Sequence, residues 1–140
     1  MASSRVETQI TWSAASSLSI SAGSTSTSDA FTFNAEDWDG VVQLSADNDG
    51  TPASGDTVDF WIAYTAGDIL GDTGNDYDTT EHATLLTRID TVAANTPGED
   101  PGRCTVPVNT AATGFKIIAK NNSGGRAITV RARIVTHRPQ

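Results

Sequence analysis

Residues 58–64 read Val-Asp-Phe-Trp-Ile-Ala-Tyr. The run contains three aromatics, a valine and an isoleucine, with no glycine or proline to interrupt it. In an extended chain side chains alternate between two faces, so Val58, Phe60, Ile62 and Tyr64 share one face and Trp61 and Ala63 the other. Apolar residues on both faces mark a strand covered on both sides, in the middle of a sheet. Its flanks, DNDGTPASGD before it and TAGD after it, are rich in Gly, Asp, Ser and Thr, the residues of turns.

The same alternation extends outward in both directions. Val6, Thr8, Ile10 and Trp12 fall on one face of a first strand, Leu18 and Ile20 on a second, Phe31 and Phe33 on a third, and Val42 and Leu44 on a fourth. GSTSTSD, residues 23–29, reads as a turn. After the central strand, residues 79–95 are ambiguous. Asp78 and Glu81 fit a helix-capping box and Leu86 and Ile89 fit helical spacing, whereas Leu85, Thr87, Ile89 and Thr91 fit a strand. The surrounding strands decide for a strand over 84–92, after one helical turn. TPGEDPGR is a break. Cys104, Val106 and Val108 then share a face of a short strand whose Pro107 places it at an edge. Phe115, Ile117 and Ala119, the turn NNSGGR, and Ile128, Val130, Ala132 and Ile134 read as a closing hairpin. That leaves Thr129, Arg131 and Arg133 facing water or a partner. The expected fold is all-β: a single antiparallel β-sandwich of about eight strands over residues 1–140, jelly-roll or immunoglobulin-like, with residues 1–5 as a short N-terminal arm.

Composition agrees and narrows the function. The 140 residues are 37% hydrophobic, enough for one domain with a core, and rich in Thr, Ser and Gly rather than helix formers. Cys104 is the one cysteine, so a disulfide-stapled secreted domain is not expected. MASSRVETQ lacks the apolar core of a secretory signal, and no apolar run is long enough to span a membrane. Folding in a reducing cytoplasm, with no membrane partner, is the expectation.

Charge is segregated. Residues 1–102 hold all 17 acidic side chains and only Arg5 and Arg88 among the nine basic ones, while residues 103–140 hold the other seven basic residues and no acid. Such asymmetry implies pairing. The favoured reading is cross-strand pairing within one fold; the alternative is a basic docking face built from Lys116, Lys120, Arg126, Arg131 and Arg133. A net charge of −8 argues against nucleic acid as a partner.

Catalytic and metal chemistry find little support. Asp68, Asp72, Asp76 and Asp78 could supply calcium oxygens, but a calcium loop begun at Asp72 has Tyr77 where glycine belongs and Ala83 in place of the last glutamate. A loop begun at Ser45 places Gly50 and Asp56 correctly and lacks the first aspartate. Two histidines, His82 and His137, lie far apart with no zinc spacing and no nucleophile motif. No metal, cofactor or catalytic residue is assigned. Trp12 and Trp61 sit in phase with strands and read as core. Trp38, in the polar loop AEDWDG, is the best candidate for an exposed aromatic contact, although a loop tryptophan more often tucks under a sandwich.

The stretches ADNDGTPASGDTVDFWIAYTAGDILGDTGNDYDTTEHATLLTRIDT, TVPV and GFKIIAKNNSGGRAITVRARI, within residues 28–135, resemble head decoration (cement) proteins and related minor virion proteins of tailed bacteriophages. The shared motifs are turns rather than reactive groups. The resemblance implies a non-enzymatic β-sandwich that oligomerises, with a trimer the expected size, and binds the major capsid protein on the outside of the virion. Many weak contacts on a repeating shell would act together. A carbohydrate-binding or adhesion module, or a tail or fibre component of the same fold, is the rival expectation.

Overall fold

The computed structural model describes residues 2–65, 83–92 and 102–139. The described residues form ten strands and no helix: β1 (Ser3–Ile10), β2 (Leu18–Ile20), β3 (Thr25–Thr27), β4 (Phe31–Thr32), β5 (Asp39–Asn48), β6 (Thr57–Thr65), β7 (Thr84–Asp90), β8 (Gly102–Pro107), β9 (Gly114–Asn121) and β10 (Ile128–Pro139). They make two antiparallel sheets. The first has the order β1-β10-β5-β8 with β2 also on β10, and the second the order β3-β9-β6-β7 with β4 also on β9. Among the described strands after β5, only β6 and β7 are sequence neighbours paired in one sheet; the other successive strands there lie in opposite sheets. With β3 and β4 counted as one broken strand, β2 to β10 make the eight-stranded double Greek key of a jelly roll, and β1 extends the first sheet. Of the two expected sandwich types, the jelly roll is the one found.

The core lies between the sheets. Val58, Phe60 and Ile62 of β6, Phe115, Ile117 and Ala119 of β9, and Ile128, Val130, Ala132 and Ile134 of β10 are at most 1% exposed, which bears out the alternating faces read from sequence. Each large side chain buried in this way contributes about 1.5–3 kcal/mol. Phe31, Phe33 and Phe115 cluster at one end with ring centroids 5.3–5.5 Å apart, and Tyr64 closes the group at 6.4 Å from Phe115. β6 is central, paired with β9 on one side and β7 on the other. β8 is an edge strand, as Pro107 required.

Several expectations change. Residues 3–5 are not an arm: Ser3 to Arg5 pair with Pro139 to His137. Within GSTSTSD the turn ends early, and Thr25–Thr27 is a strand on β9. β9 and β10 are not a hairpin, for they belong to opposite sheets. The buried Asn121 shapes the crossing. Its side-chain NH₂ donates to the Ile20 and Arg126 carbonyls at 2.9 and 2.8 Å, and its Oδ1 accepts the Ser123 N–H at 2.8 Å. Two strands facing one core across a sandwich show the same alternation as two strands side by side, so period alone could not separate these cases. Thr84–Asp90 is a strand as expected, but Phe60 faces Thr87 while Trp61 faces Leu85, so Leu86 is an extra, bulged residue. The bulge inverts the alternation beyond it. Leu86 packs against the core and Leu85 is 55% exposed, so the face expected from Leu85 to Thr91 is broken in the middle. The capping box at Asp78–Glu81 lies outside the described residues. Trp12 is buried as expected; Trp61 is half-buried on the side of β6 facing away from the core.

Candidate functional site

The outward face of the first sheet is built in register across four strands. Arg5, His137 and Asp39 form one row; Glu7, Val135, Val41 and Pro107 the next; Gln9, Arg133, Gln43 and Thr105 the third; Arg131, Ser45 and Arg103 the fourth. Outward residues are two apart along a strand, so rows are about 7 Å apart and the face runs about 20 Å from His137 to Arg131.

Trp38 stands at one end and is 58% exposed, contrary to the expected tuck. Its loop is tied down from below. Buried Asp37 accepts the Asn34 N–H at 2.9 Å and receives Arg138 Nε at 2.8 Å. The Trp38 N–H donates to the His137 carbonyl at 3.0 Å. These bonds use the loop's polar groups beneath the sheet end and leave the indole outside. The ring lies at 36° to the His137 imidazole with centroids 5.6 Å apart, and His137 Nδ1 is 2.6 Å from Asp39 Oδ1. Beside it a hollow of about 350 Å³ is floored by Val41, Val135 and Pro107 and edged by Asp39 and Asn109.

The other end is cationic. Arg133 is oriented by Gln43, whose Oε1 accepts Nε and Nη2 at 3.1 and 2.6 Å, and its Nη1 is 3.7 Å from Glu7. Arg131 and Arg103 approach Ser45 from the strands on either side of it. A groove of about 370 Å³ runs between these side chains.

The basic set expected from sequence is divided. Arg131 and Arg133 point outward from the first sheet, as read. Lys116 and Lys120 are on β9, in the second sheet, and Arg126 pairs with buried Asp56 at the crossing turn. The five residues therefore do not form one face. Part of the segregated charge is paired within the fold: Arg126 holds Asp56 and Arg138 holds Asp37 across the division, and Arg88 holds Asp59 within the acidic part. Arg88 bonds and charge keep Asp59 below its ordinary carboxylate range. Burial pushes Asp56 up, but the Ala53 N–H, Ser123, Asn48 and Arg126 outweigh it and its net shift is downward. Arg103, Gln9 and Gln43 were not singled out from sequence. The strand pattern that put Cys104 and Val106 inward already put Arg103 and Thr105 outward, but register is needed to bring them to Arg131 and Gln43.

The calcium window beginning at Ser45 opens inside β5 rather than in a loop, and Arg126 occupies the cation position beside Asp56. The window at Asp72 and the residues Asp68, Asp76, Asp78 and His82 lie outside the described residues. Among the described residues no three His, Cys, Asp or Glu side chains gather as a metal site needs, and no helix is long and apolar enough to cross a membrane.

No family model matches the sequence, and no curated protein matches it. Solved structures share the fold. The C-terminal CBM6 of LamC, a laminarinase from the marine Zobellia galactanivorans, is similar over 94% of this chain and 99% of its own at 12% identity and a TM-score of 0.51. The BuGH86 chain solved in complex with neoagarooctaose is similar over 96% of this chain at 11% identity and a TM-score of 0.52, though the match spans 19% of that longer chain. At these identities the likeness establishes the β-sandwich and nothing finer.

Proposed function

We propose that this chain is a non-catalytic binding module that holds a carbohydrate along the outward face of the first sheet. One observation carries the reading: Trp38 stands 58% exposed at the end of an open sheet face, fixed from beneath and bordered by Asp39, His137 and Asn109. An exposed aromatic ring offers an apolar platform for the C–H face of a sugar, and carboxylate and amide groups at its rim match sugar hydroxyls. The same sandwich serving as a carbohydrate-binding module in the laminarinase adds support by analogy of fold. A glycan array probed with the wild-type chain and with Trp38→Ala tests it. Binding that falls about tenfold or more on removal of the indole is expected; binding to no glycan at all would remove the reading.

The resemblance within residues 28–135 favours a second reading, in which the domain decorates the outside of a capsid as a homo-oligomer, with the major capsid protein as its partner. Here Arg131 and Arg133 would contact the shell. Co-sedimentation of the chain with intact virions tests this; normal capsid occupancy by an Arg131→Ser, Arg133→Ser double variant would remove those residues from the contact.

A further inference from the structure

We propose that the ligand of this face is an anionic polysaccharide, its carboxylate or sulfate groups held by Arg103 and Arg131 while Trp38 covers an uncharged ring farther along. This rests on the carbohydrate reading above and adds the class of sugar.

The inference begins with the arginines of the fourth row. The chain has 17 acidic side chains against nine basic ones, so carboxylates are in surplus. Arg88, Arg126 and Arg138 each have an aspartate. Among the described residues Arg103 and Arg131 have no ion pair or hydrogen bond, and they flank one small residue, Ser45, with Arg133 in the adjoining row. Among the described residues no Asp or Glu lines the groove between them. Neighbouring like charges on a sheet repel, and an anion from outside would relieve that repulsion. A guanidinium presents two parallel N–H groups that match the two oxygens of a carboxylate or sulfate.

The surroundings narrow the anion further. Glu7 and Asp39 lie on the same face, in the rows toward Trp38, and Asp47 follows Arg131 and Ser45 at the far end. A continuous polyanion such as nucleic acid would meet these carboxylates along its length. A polysaccharide places charged groups at intervals, with hydroxyls between them that the carboxylates can accept. The separation of about 20 Å between the cationic and aromatic ends suits an extended chain rather than a single small ion.

The experiment is a titration of the full chain with two matched pairs: a partly methyl-esterified polygalacturonate and its fully esterified form, and a galactan sulfated at intervals and its desulfated form. Polyglutamate is the control. The acidic member of each pair is expected to bind about tenfold more tightly or better, and to lose that advantage as salt is raised. Arg103→Ser with Arg131→Ser should weaken the acidic polysaccharides about fivefold and leave the neutral ones unchanged; lysine at both positions should restore part of the loss. Equal binding of acidic and neutral forms would overturn the anionic assignment and leave the carbohydrate reading standing. Binding of no polysaccharide, acidic or neutral, would overturn both. Polyglutamate bound as tightly as the acidic polysaccharides would overturn the proposal by showing that charge alone is read. The comparison of ligands on the wild-type chain carries the test even if the double variant fails to fold.

Discussion

The two outward faces of the sandwich come from strands of the same kind and have been finished differently. On the second sheet, Asp59 of β6 is clasped by Arg88 of β7 through both carboxylate oxygens, and Ile118 and Ala63 are 1% exposed. On the first sheet, a tryptophan stands in the open and two arginines lack partners among the described residues. One face has a carboxylate clasped by its neighbouring strand and its centre covered. The other keeps cationic and aromatic groups in solvent. The contrast is between ion pairs that serve the fold and arginines that have none among the described residues.

Substitutions should separate the two kinds of residue, and the largest effect is expected at a paired one. Asp56→Ala leaves Arg126, Asn48 and the Ala53 N–H without their shared acceptor in a buried setting, and should lower the unfolding free energy in urea by about 3 kcal/mol. A loss well under 1 kcal/mol would mean the pairing is incidental. Arg88→Ser should lower stability by clearly less than Asp56→Ala, because the arginine is largely exposed while Asp59 is not.

Acid sharpens the same contrast without mutation. Asp59, Asp56 and Asp29 all have folded pKa values below the ordinary aspartate value of 3.8; for Asp29 the cause is the Thr11 hydroxyl and then the Ala14 N–H. Their contribution to stability is complete above the unfolded value and is lost as pH falls through the lower folded values. The melting temperature should therefore hold as far as these groups are concerned down to about pH 4 and drop below it, and Asp59→Asn should make that acid drop shallower. A drop unchanged by the substitution would show that Asp59 takes no part in it.

Arg131→Ser with Arg133→Ser should change stability by no more than about 0.5 kcal/mol, since both side chains face outward. Unfolding of that variant would move these arginines into the structural class and remove the contrast between the faces. Smallest of all is the expected response to EDTA, an unchanged melting temperature, because Arg126 stands where a cation would sit beside Asp56. A fall reversed by Ca²⁺ would contradict this.

Much of the fold was legible in single strands and little of it in their partners. The apolar run of β6 placed it in a sheet interior, and Pro107 placed β8 at an edge, because both properties belong to one strand. That β9 and β10 lie in opposite sheets depends on a turn held by Asn121, and the alternation on their core faces is the same either way. Leu86 was misread for a related reason: a bulge inserts one residue against a partner the sequence does not display. The site shows the same division. Arg131 and Arg133 were read as outward from their own strand. Arg103 reaches them only through β5, and Trp38 was expected to tuck because nothing local reveals that Arg138, a hundred residues on, holds Asp37 beneath it.

One pairing has a consequence for how the domain can be attached. Ser3 stands opposite Pro139, and Arg5 opposite His137, in adjacent antiparallel strands. Paired residues of this kind have Cα atoms about 5 Å apart, so the two ends of the fold leave from one corner, beside Trp38. The domain could be spliced into a surface loop of a host protein, or circularly permuted by a short linker, without disturbing either sheet. A fusion at either end would crowd the indole first and leave Arg103 and Arg131, at the far end of the face, in open water.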